Sequence, residues 1–275
     1  MELGIFAKTY ARDSLQATLD AVQADGLRTV QFNLVLTGGS SLPGRVPAEL
    51  AGRVAADLRR RDLRMAAVSG TYNMAHPDAA SRADGGRRLA ALIAAARGLG
   101  TRVVTLCTGS RDSHDMWRRH PDNGSAAAWT DMRASVDAAL AVAEAHDVTL
   151  AFEPERNNVV ANAADGRRLL DEIGSPHLRV VLDAANLFDG PDLSRQDQTL
   201  AEAFALLGDD VVLAHAKDVR ADGTIVAAGQ GQLDYGRYLD LLAQLPRDVP
   251  LILHGLDEHE VAGSVRFLSR RLATA

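Results

Sequence analysis

The hydrophobic positions of the chain fall into short apolar runs that are separated by longer amphipathic segments. Eight runs of nearly continuous Val, Ile and Leu character predict strands buried on both faces, as parallel strands are. The predicted strands cover residues 3–6, 29–34, 65–69, 102–107, 148–152, 179–182, 211–214 and 251–253. Because strands and amphipathic segments alternate strictly, the pattern favours a parallel sheet.

The segments between the strands are rich in Ala, Leu and Arg, and each is long enough for a crossover helix. The predicted helices cover residues 13–25, 47–61, 82–99, 131–146, 162–173, 200–207, 235–245 and 259–272. Gly26, Gly100, Gly174 and Gly208 follow four of them, as expected of C-terminal caps. Eight such units predict an α/β fold, a (β/α)8 TIM barrel, in one domain spanning 1–275. An open doubly wound sheet is the alternative, but it would leave two edges to protect.

Composition and charge narrow the function classes. A chain of 275 residues, 47% hydrophobic, can bury a full core without a disulfide. Its single cysteine, Cys107, favours a reducing compartment, so we expect a cytoplasmic location. The amino terminus reads as a first strand, and no run of 18 apolar residues predicts a membrane span. With a net charge of −6, the chain lacks the basic patch of a nucleic-acid binder.

Polar side chains follow the last four predicted strands, where a parallel barrel carries its catalytic groups. Glu153 follows the fifth strand, Asp183 the sixth, His215 the seventh and His254 the eighth. Each of them alone has an ordinary interpretation, such as a turn residue or a hydrogen-bonded core residue. Together they would be costly to bury without partners, and a shared divalent cation removes that cost. Carboxylates and imidazoles suit Mn²⁺, Co²⁺, Mg²⁺ or Zn²⁺.

The connection after the fourth predicted strand, residues 108–124, is unusually long for a compact domain. Loops of this length are commonly functional or disordered. Because the connection contains Trp117 and two histidines, we interpret it as a lid over the strand ends. Trp117 is therefore a candidate substrate contact.

Several segments near the strand ends carry a resemblance to a known family. They are FEPE at 152–155, LDAANL at 182–187, HAKD at 215–218, GQGQLDY at 229–235 and TYNMAHP at 71–77. Their order and spacing resemble the sugar phosphate isomerase/epimerase superfamily of xylose isomerase-like barrels over essentially the whole chain. This superfamily includes sugar 3-epimerases, inosose dehydratases and relatives of endonuclease IV.

The resemblance implies one divalent metal ion held by Glu, Asp, His and Glu from strands five to eight. Glu153, Asp183 and His215 match the first three ligands, whereas His254 stands where the fourth, a glutamate, is expected. The family's epimerases use their two glutamates as acid and base on opposite faces of the substrate. The resemblance therefore implies Glu153 and, in place of the second glutamate, His254 as the catalytic pair, acting on a ketose through an enediolate. Alternatively, Glu258 or Glu260 would reach in from the following loop.

Asn33, His76 and Lys217 are further candidate contacts to a small sugar or polyol substrate. Three alternatives stay open beside the isomerase or epimerase. The missing glutamate favours a catalytically degenerate sugar-binding barrel, and a cyclic-polyol (inosose-type) dehydratase would use the same enediolate chemistry. An endonuclease IV-like phosphodiesterase is disfavoured by the acidic charge and the small number of histidines. The resemblance also leaves the formation of a homo-oligomer open.

Overall fold

The computed structural model describes residues 1–188 and 190–273, and its strands form a closed parallel barrel. The strand order around the barrel is β1-β2-β3-β4-β5-β6-β7-β9, and β9 pairs with β1 to close it. The strands are β1 (Leu3–Phe6), β2 (Thr29–Phe32), β3 (Arg64–Ser69), β4 (Val103–Cys107), β5 (Thr149–Glu153), β6 (Leu178–Asp183), β7 (Val211–Val219), β8 (Ile225–Ala227) and β9 (Leu251–Leu253). The predicted (β/α)8 barrel is confirmed.

The helices pack around the outside of the barrel, and the main apolar core lies between them and the strands. They are α1 (Leu15–Ala24), α2 (Ala48–Arg60), α3 (Ala79–Leu99), α4 (Ala126–His146), α5 (Ala163–Ile173), α6 (Gln196–Leu207), α7 (Tyr235–Ala243) and α8 (Glu258–Leu272). Helices α3 and α4 begin earlier than predicted because Asp78 and Ser125 cap their first backbone N–H groups. Among the described helices, none is both long and apolar enough to cross a membrane.

Strand β7 is longer than the sequence pattern predicts, and the ending at residue 214 was wrong. Its second half pairs in antiparallel fashion with β8, so that Lys217 faces Ala227 and Val219 faces Ile225. The turn between these strands contains Gly223 with a φ of +83°, a conformation that suits glycine. As a result His215 and Lys217 lie on hydrogen-bonded strand backbone, not on a loop.

The inside of the barrel is apolar at one level and polar at the next. A small separate apolar cluster inside the barrel contains, among others, Ala151, Val181, Leu213 and Ile252. Side chains alternate between the two faces of a strand, so the residue two positions later points inward as well. Those residues are Glu153, Asp183, His215 and His254. The pleat therefore brings all four predicted ligands to the carboxyl end of the barrel.

Candidate functional site

A cavity of about 360 Å³ opens at the carboxyl ends of the barrel strands. Its wall includes Glu153, His215, Lys217 and His254. Two larger clefts, of about 560 and 530 Å³, lie among the outer loops and contain none of the four predicted ligands. Because buried charged groups converge only in the smaller of these three spaces, we place the candidate site there and call it the mouth cavity.

The four predicted ligands lie close together below the mouth cavity. His215 Nδ1 lies 3.3 Å from Glu153 Oε1 and 3.7 Å from Asp183 Oδ2. One potential ligand atom from each of Asp183, His215 and His254 lies within 4.8 Å of the other two. The rings of His215 and His254 stack with their centroids 4.7 Å apart and 15° between their planes. Asp183, His215 and His254 thus face one point, and Glu153 lies beside it against His215.

Three of these side chains carry a buried polar atom that has no hydrogen-bond partner among the described residues. The atoms are Asp183 Oδ2, His215 Nδ1 and His254 Nδ1. Lys217 Nζ lies 2.9 Å from Asp183 Oδ2, but the contact is an ion pair without hydrogen-bond geometry. Buried polar atoms without partners are rare in folded proteins. Two imidazoles and two carboxylates in this arrangement fit a divalent cation.

The buried side-chain amide of Gln31 determines which nitrogen of His215 is available to a metal. His215 Nε2 lies 2.8 Å from Gln31 Oε1, and Gln31 Nε2 donates a hydrogen bond to Thr105 Oγ1 at 3.3 Å. Because the amide oxygen can only accept, His215 donates from Nε2, and Nδ1 is the nitrogen that faces the carboxylates. Metal-binding histidines are commonly oriented in this way by a second partner. Gln31 was not predicted as a site residue, although a glutamine inside an apolar strand is a signal for one.

Lys217 supplies a positive charge to the two carboxylates. Its Nζ lies 2.9 Å from Asp183 Oδ2 and 3.5 Å from Glu153 Oε1. Burial acts to raise the pKa of Asp183, but Lys217 and His215 together outweigh it and hold that pKa below its usual range. Burial acts to lower the pKa of Lys217, and the charges of Asp183 and Glu153 outweigh it and raise that pKa. The ammonium ion and a metal would therefore share the same pair of carboxylates.

The two histidines differ in charge. Burial acts to lower the pKa of His215, but the neighbouring carboxylates of Glu153 and Asp183 together outweigh it and raise that pKa to about 9. Burial, together with the charge of Lys217, lowers the pKa of His254 well below its usual range. His254 is therefore a neutral imidazole, which is the form that binds metals. A metal at this point would have to displace the proton of His215.

Two residues that were not predicted as site residues complete the polar part of the cavity. Asn186 Nδ2 donates a hydrogen bond to Glu153 Oε1 at 2.6 Å and so holds this carboxylate in place. Glu155 also lines the mouth cavity, where burial and the charge of Glu153 raise its pKa to about 7. Both belong to the FEPE and LDAANL segments, but only the folded barrel shows that they face Glu153.

The predicted substrate contacts divide into two groups. Trp117 and Lys217 line the mouth cavity, and Trp117 is 46% exposed at its edge. Asn33 lies outside it, because its side-chain oxygen accepts a hydrogen bond from Val35 N and caps a short turn. His76 is also outside it: its ring bonds Ser113 O, and it lines the 560 Å³ cleft. Local capping and loop contacts therefore hold two of the four candidates away from the cavity.

Comparison with known proteins agrees with this architecture. The sequence model of the xylose isomerase-like TIM barrel family matches residues 11–271. No curated protein matches the chain in sequence.

Three solved structures share the fold across nearly the whole chain. A D-tagatose 3-epimerase-like protein has a TM-score of 0.79 at 13% identity, covering 100% of this chain and 98% of that one. A 3-keto-D-glucoside 4-epimerase from E. coli has a TM-score of 0.76 at 15% identity, covering 99% of both chains. A probable 3-DHS dehydratase from Bacillus anthracis has a TM-score of 0.73 at 13% identity, covering 98% of this chain and 99% of that one. At these identities the likeness is one of fold.

Proposed function

The chain belongs to the xylose isomerase-like TIM barrel family, and on that premise we propose that it is a divalent-metal-dependent isomerase or epimerase of a sugar, ketose or related polyol. The observation that carries this proposal is the group of buried atoms without hydrogen-bond partners, Asp183 Oδ2, His215 Nδ1 and His254 Nδ1, beside Glu153. The epimerases that share the fold support the choice of reaction class.

Glu153, Asp183, His215 and His254 would hold the metal. Two nitrogen ligands favour Mn²⁺, Co²⁺ or Zn²⁺ over Mg²⁺, which prefers oxygen ligands. When bound, the cation would polarise the substrate carbonyl and stabilise the enediolate that forms when a neighbouring carbon loses its proton. The side chains of the mouth cavity would transfer the protons and exclude water.

Glu153 is the proposed base, because it lines the cavity and its carboxylate is held in one orientation. The N–H group of Asn186 and the ammonium group of Lys217 hold one of its oxygens at 2.6 and 3.5 Å. His254 is the proposed partner that returns the proton. As a neutral imidazole it would first take up a proton from solvent or from a substrate hydroxyl group, and its ring is fixed between those of Phe6 and His215. Trp117, at the edge of the cavity, would exclude water from the reacting carbon.

A dehydratase is the second candidate, and Glu155 is the observation that favours it. This additional carboxyl group lines the same cavity and could protonate a hydroxyl group as it leaves. A probable 3-DHS dehydratase shares the fold. The two reactions begin with the same loss of a proton and differ in whether water is expelled.

The metal site can be tested with two matched histidine variants, measuring the metal content of the purified proteins. His254→Asn removes a proposed ligand, whereas His259→Asn alters the exposed group of Asp257, His259 and Glu260 at the start of α8. We expect one tightly held divalent ion per chain in the wild type and in His259→Asn, and none in His254→Asn. An ion that is lost only from His259→Asn would contradict the proposal.

The chemistry can be tested by hydrogen exchange, without knowing the substrate in advance. Metal-loaded protein would be incubated in D₂O with a panel of neutral and anionic ketoses and followed by NMR. We expect metal-dependent deuterium incorporation next to the carbonyl, abolished in Glu153→Gln. Loss of water from the sugar would favour the dehydratase, and binding without exchange would favour a sugar-binding barrel.

A further inference from the structure

The choice of cationic residues in this chain is strongly uneven. Of its 30 lysine and arginine residues, only Lys8 and Lys217 are lysines. Both of them line the mouth cavity, although the other cationic positions are spread over the whole chain. Lysine offers a compact charge on a flexible stem, whereas arginine offers a rigid planar fork. The wall also contains Arg156, but hydrogen bonds from its guanidinium group to the backbone oxygens of Phe188 and Gly223 hold it in place, so the two lysines are the flexible cations of the cavity.

The two lysines have different surroundings. Lys217 is buried and paired with Asp183 and Glu153. In the part of the chain that the structure describes, no acidic side chain forms an ion pair with Lys8. Its Nζ lies instead 4.7 Å from the centre of the Phe6 ring, a weak cation–π contact. Lys8 thus brings a charge to the cavity that no described acidic side chain neutralises by an ion pair.

The position of Lys8 relative to the proposed metal site follows from a stack of rings. The Phe6 ring, which carries the ammonium group on one side, stacks on His254 at 5.1 Å, and His254 stacks on His215 at 4.7 Å. Lys8 follows β1, and β5, which carries the cavity's acidic Glu153, is four strands away around the ring of eight. Burial and the charge of Lys217 both lower the pKa of Lys8. The two ammonium groups therefore repel each other.

We propose that Lys8 binds an anionic oxygen group of the substrate, so that this barrel acts on a carboxylated or phosphorylated sugar in preference to a neutral one. The reaction named in this inference rests on the proposed function, whereas binding of an anion by Lys8 does not depend on it. An anion next to Lys8 would neutralise its charge and offset the repulsion between the two lysines. The reacting carbon of the same molecule would then lie towards Glu153, across the cavity from β1.

Two matched pairs of ligands test the proposal, with dissociation constants measured by calorimetry on metal-loaded protein. L-sorbose and 5-keto-D-gluconate differ by a terminal carboxylate, and D-fructose and D-fructose 6-phosphate differ by a phosphate. We expect the anionic member of at least one pair to bind at least about tenfold more tightly, and more so at low salt. The pair that shows the preference identifies which anion the site accepts.

Three variants connect this preference with Lys8. Lys8→Met should remove the preference for the anion, and Lys8→Arg should keep part of it because the charge remains. Arg220→Met, an equal change of charge at an exposed position outside the mouth cavity, should preserve it. Equal binding of neutral and anionic partners, no binding of either anion, or an equal loss for both partners in Lys8→Met would overturn the proposal. If the protein prefers the anion but catalyses no hydrogen exchange, the role of Lys8 is supported and the proposed reaction is contradicted.

Discussion

The two sides of the mouth cavity are built in different ways. The carboxylate side, Glu153 on β5 and Asp183 on β6, is held by hydrogen bonds and ion pairs to Asn186 and Lys217. The ring side, Phe6 on β1 and His254 after β9, is held by stacking, and His254 Nδ1 has no hydrogen-bond partner. The first side has the ligand types that the family resemblance implies, and the second departs from them.

The difference indicates how the two sides divide the work. Carboxylates that hydrogen bonds already orient, and whose negative charge an ion pair balances, need little rearrangement to bind a cation. A neutral histidine and an unpaired lysine on the opposite side leave positive charge facing the cavity. On the proposed function, the carboxylate side would supply the oriented negative charge that holds the metal. The ring side would add one neutral ligand, His254, and Lys8 on that side would select the substrate.

The largest effect expected on the carboxylate side comes from Asp183→Asn, which keeps the shape and removes the charge. We expect metal affinity to fall by more than the roughly 100-fold that loss of a mere outer partner can cost. Titration with Co²⁺, followed by its visible absorption, measures this directly. Asp84→Asn, an exposed carboxylate paired with Arg87 and Arg88, is the matched control. Unchanged Co²⁺ binding in Asp183→Asn would break the comparison.

Gln31→Leu removes the acceptor that orients His215 while preserving much of the side-chain volume. We expect metal affinity to fall about 10- to 100-fold, because His215 would lose the bond that directs Nδ1 to the carboxylates. Gln31→Glu retains an oxygen acceptor and should rescue most of the binding. If both variants lose binding alike, the role of Gln31 is one of packing.

Lys217→Met should change metal affinity and turnover in opposite directions, which sharpens the comparison. The metal should bind about tenfold more tightly, since a positive charge that competes for Asp183 and Glu153 is gone. Turnover should fall, because the same ammonium group holds the proposed base. Lys217→Arg, which keeps the charge, should show the smaller change in metal affinity. Weaker metal binding in Lys217→Met would mean that the ammonium group orders the carboxylates more than it competes.

Tyr238→Phe should have the smallest effect on the site. The Tyr238 hydroxyl contacts the backbone oxygens of Leu182 and His215 at 3.0 and 3.1 Å, behind β6 and β7. Its loss should lower the free energy of unfolding by about 1–2 kcal/mol, measured by urea denaturation of the metal-free protein. Metal affinity should change little. A large loss of affinity would show that the packing behind the strands, and not the cavity, sets the spacing of the ligands.

Several expectations from the sequence were met because they depend on local patterns. The eight barrel strands follow from apolar runs, and the register of Glu153 above Ala151 follows from the alternation of side chains along one strand. The single-domain organisation, the cytoplasmic location and the formation of a homo-oligomer stay predictions.

Other features depended on contacts between distant residues. Gln31 and His215 are 184 positions apart, and only closure of the barrel brings their side chains to 2.8 Å. Asn33 has a residue type that suits a substrate contact, but its own loop uses it as a cap. The antiparallel strand β8 was missed, although Asp222 and Gly223 are typical of a hairpin turn.

The sequence by itself determined the barrel and placed the four predicted ligands at the strand ends, because apolar runs and a period of two are properties of neighbouring residues. Only the tertiary structure decided which nitrogen of His215 is free, which carboxylates Lys217 neutralises and that Lys8 has no acidic partner among the described residues. These outcomes depend on rotamers and on distances across a closed barrel. No local pattern records them, because each residue involved belongs to a different strand.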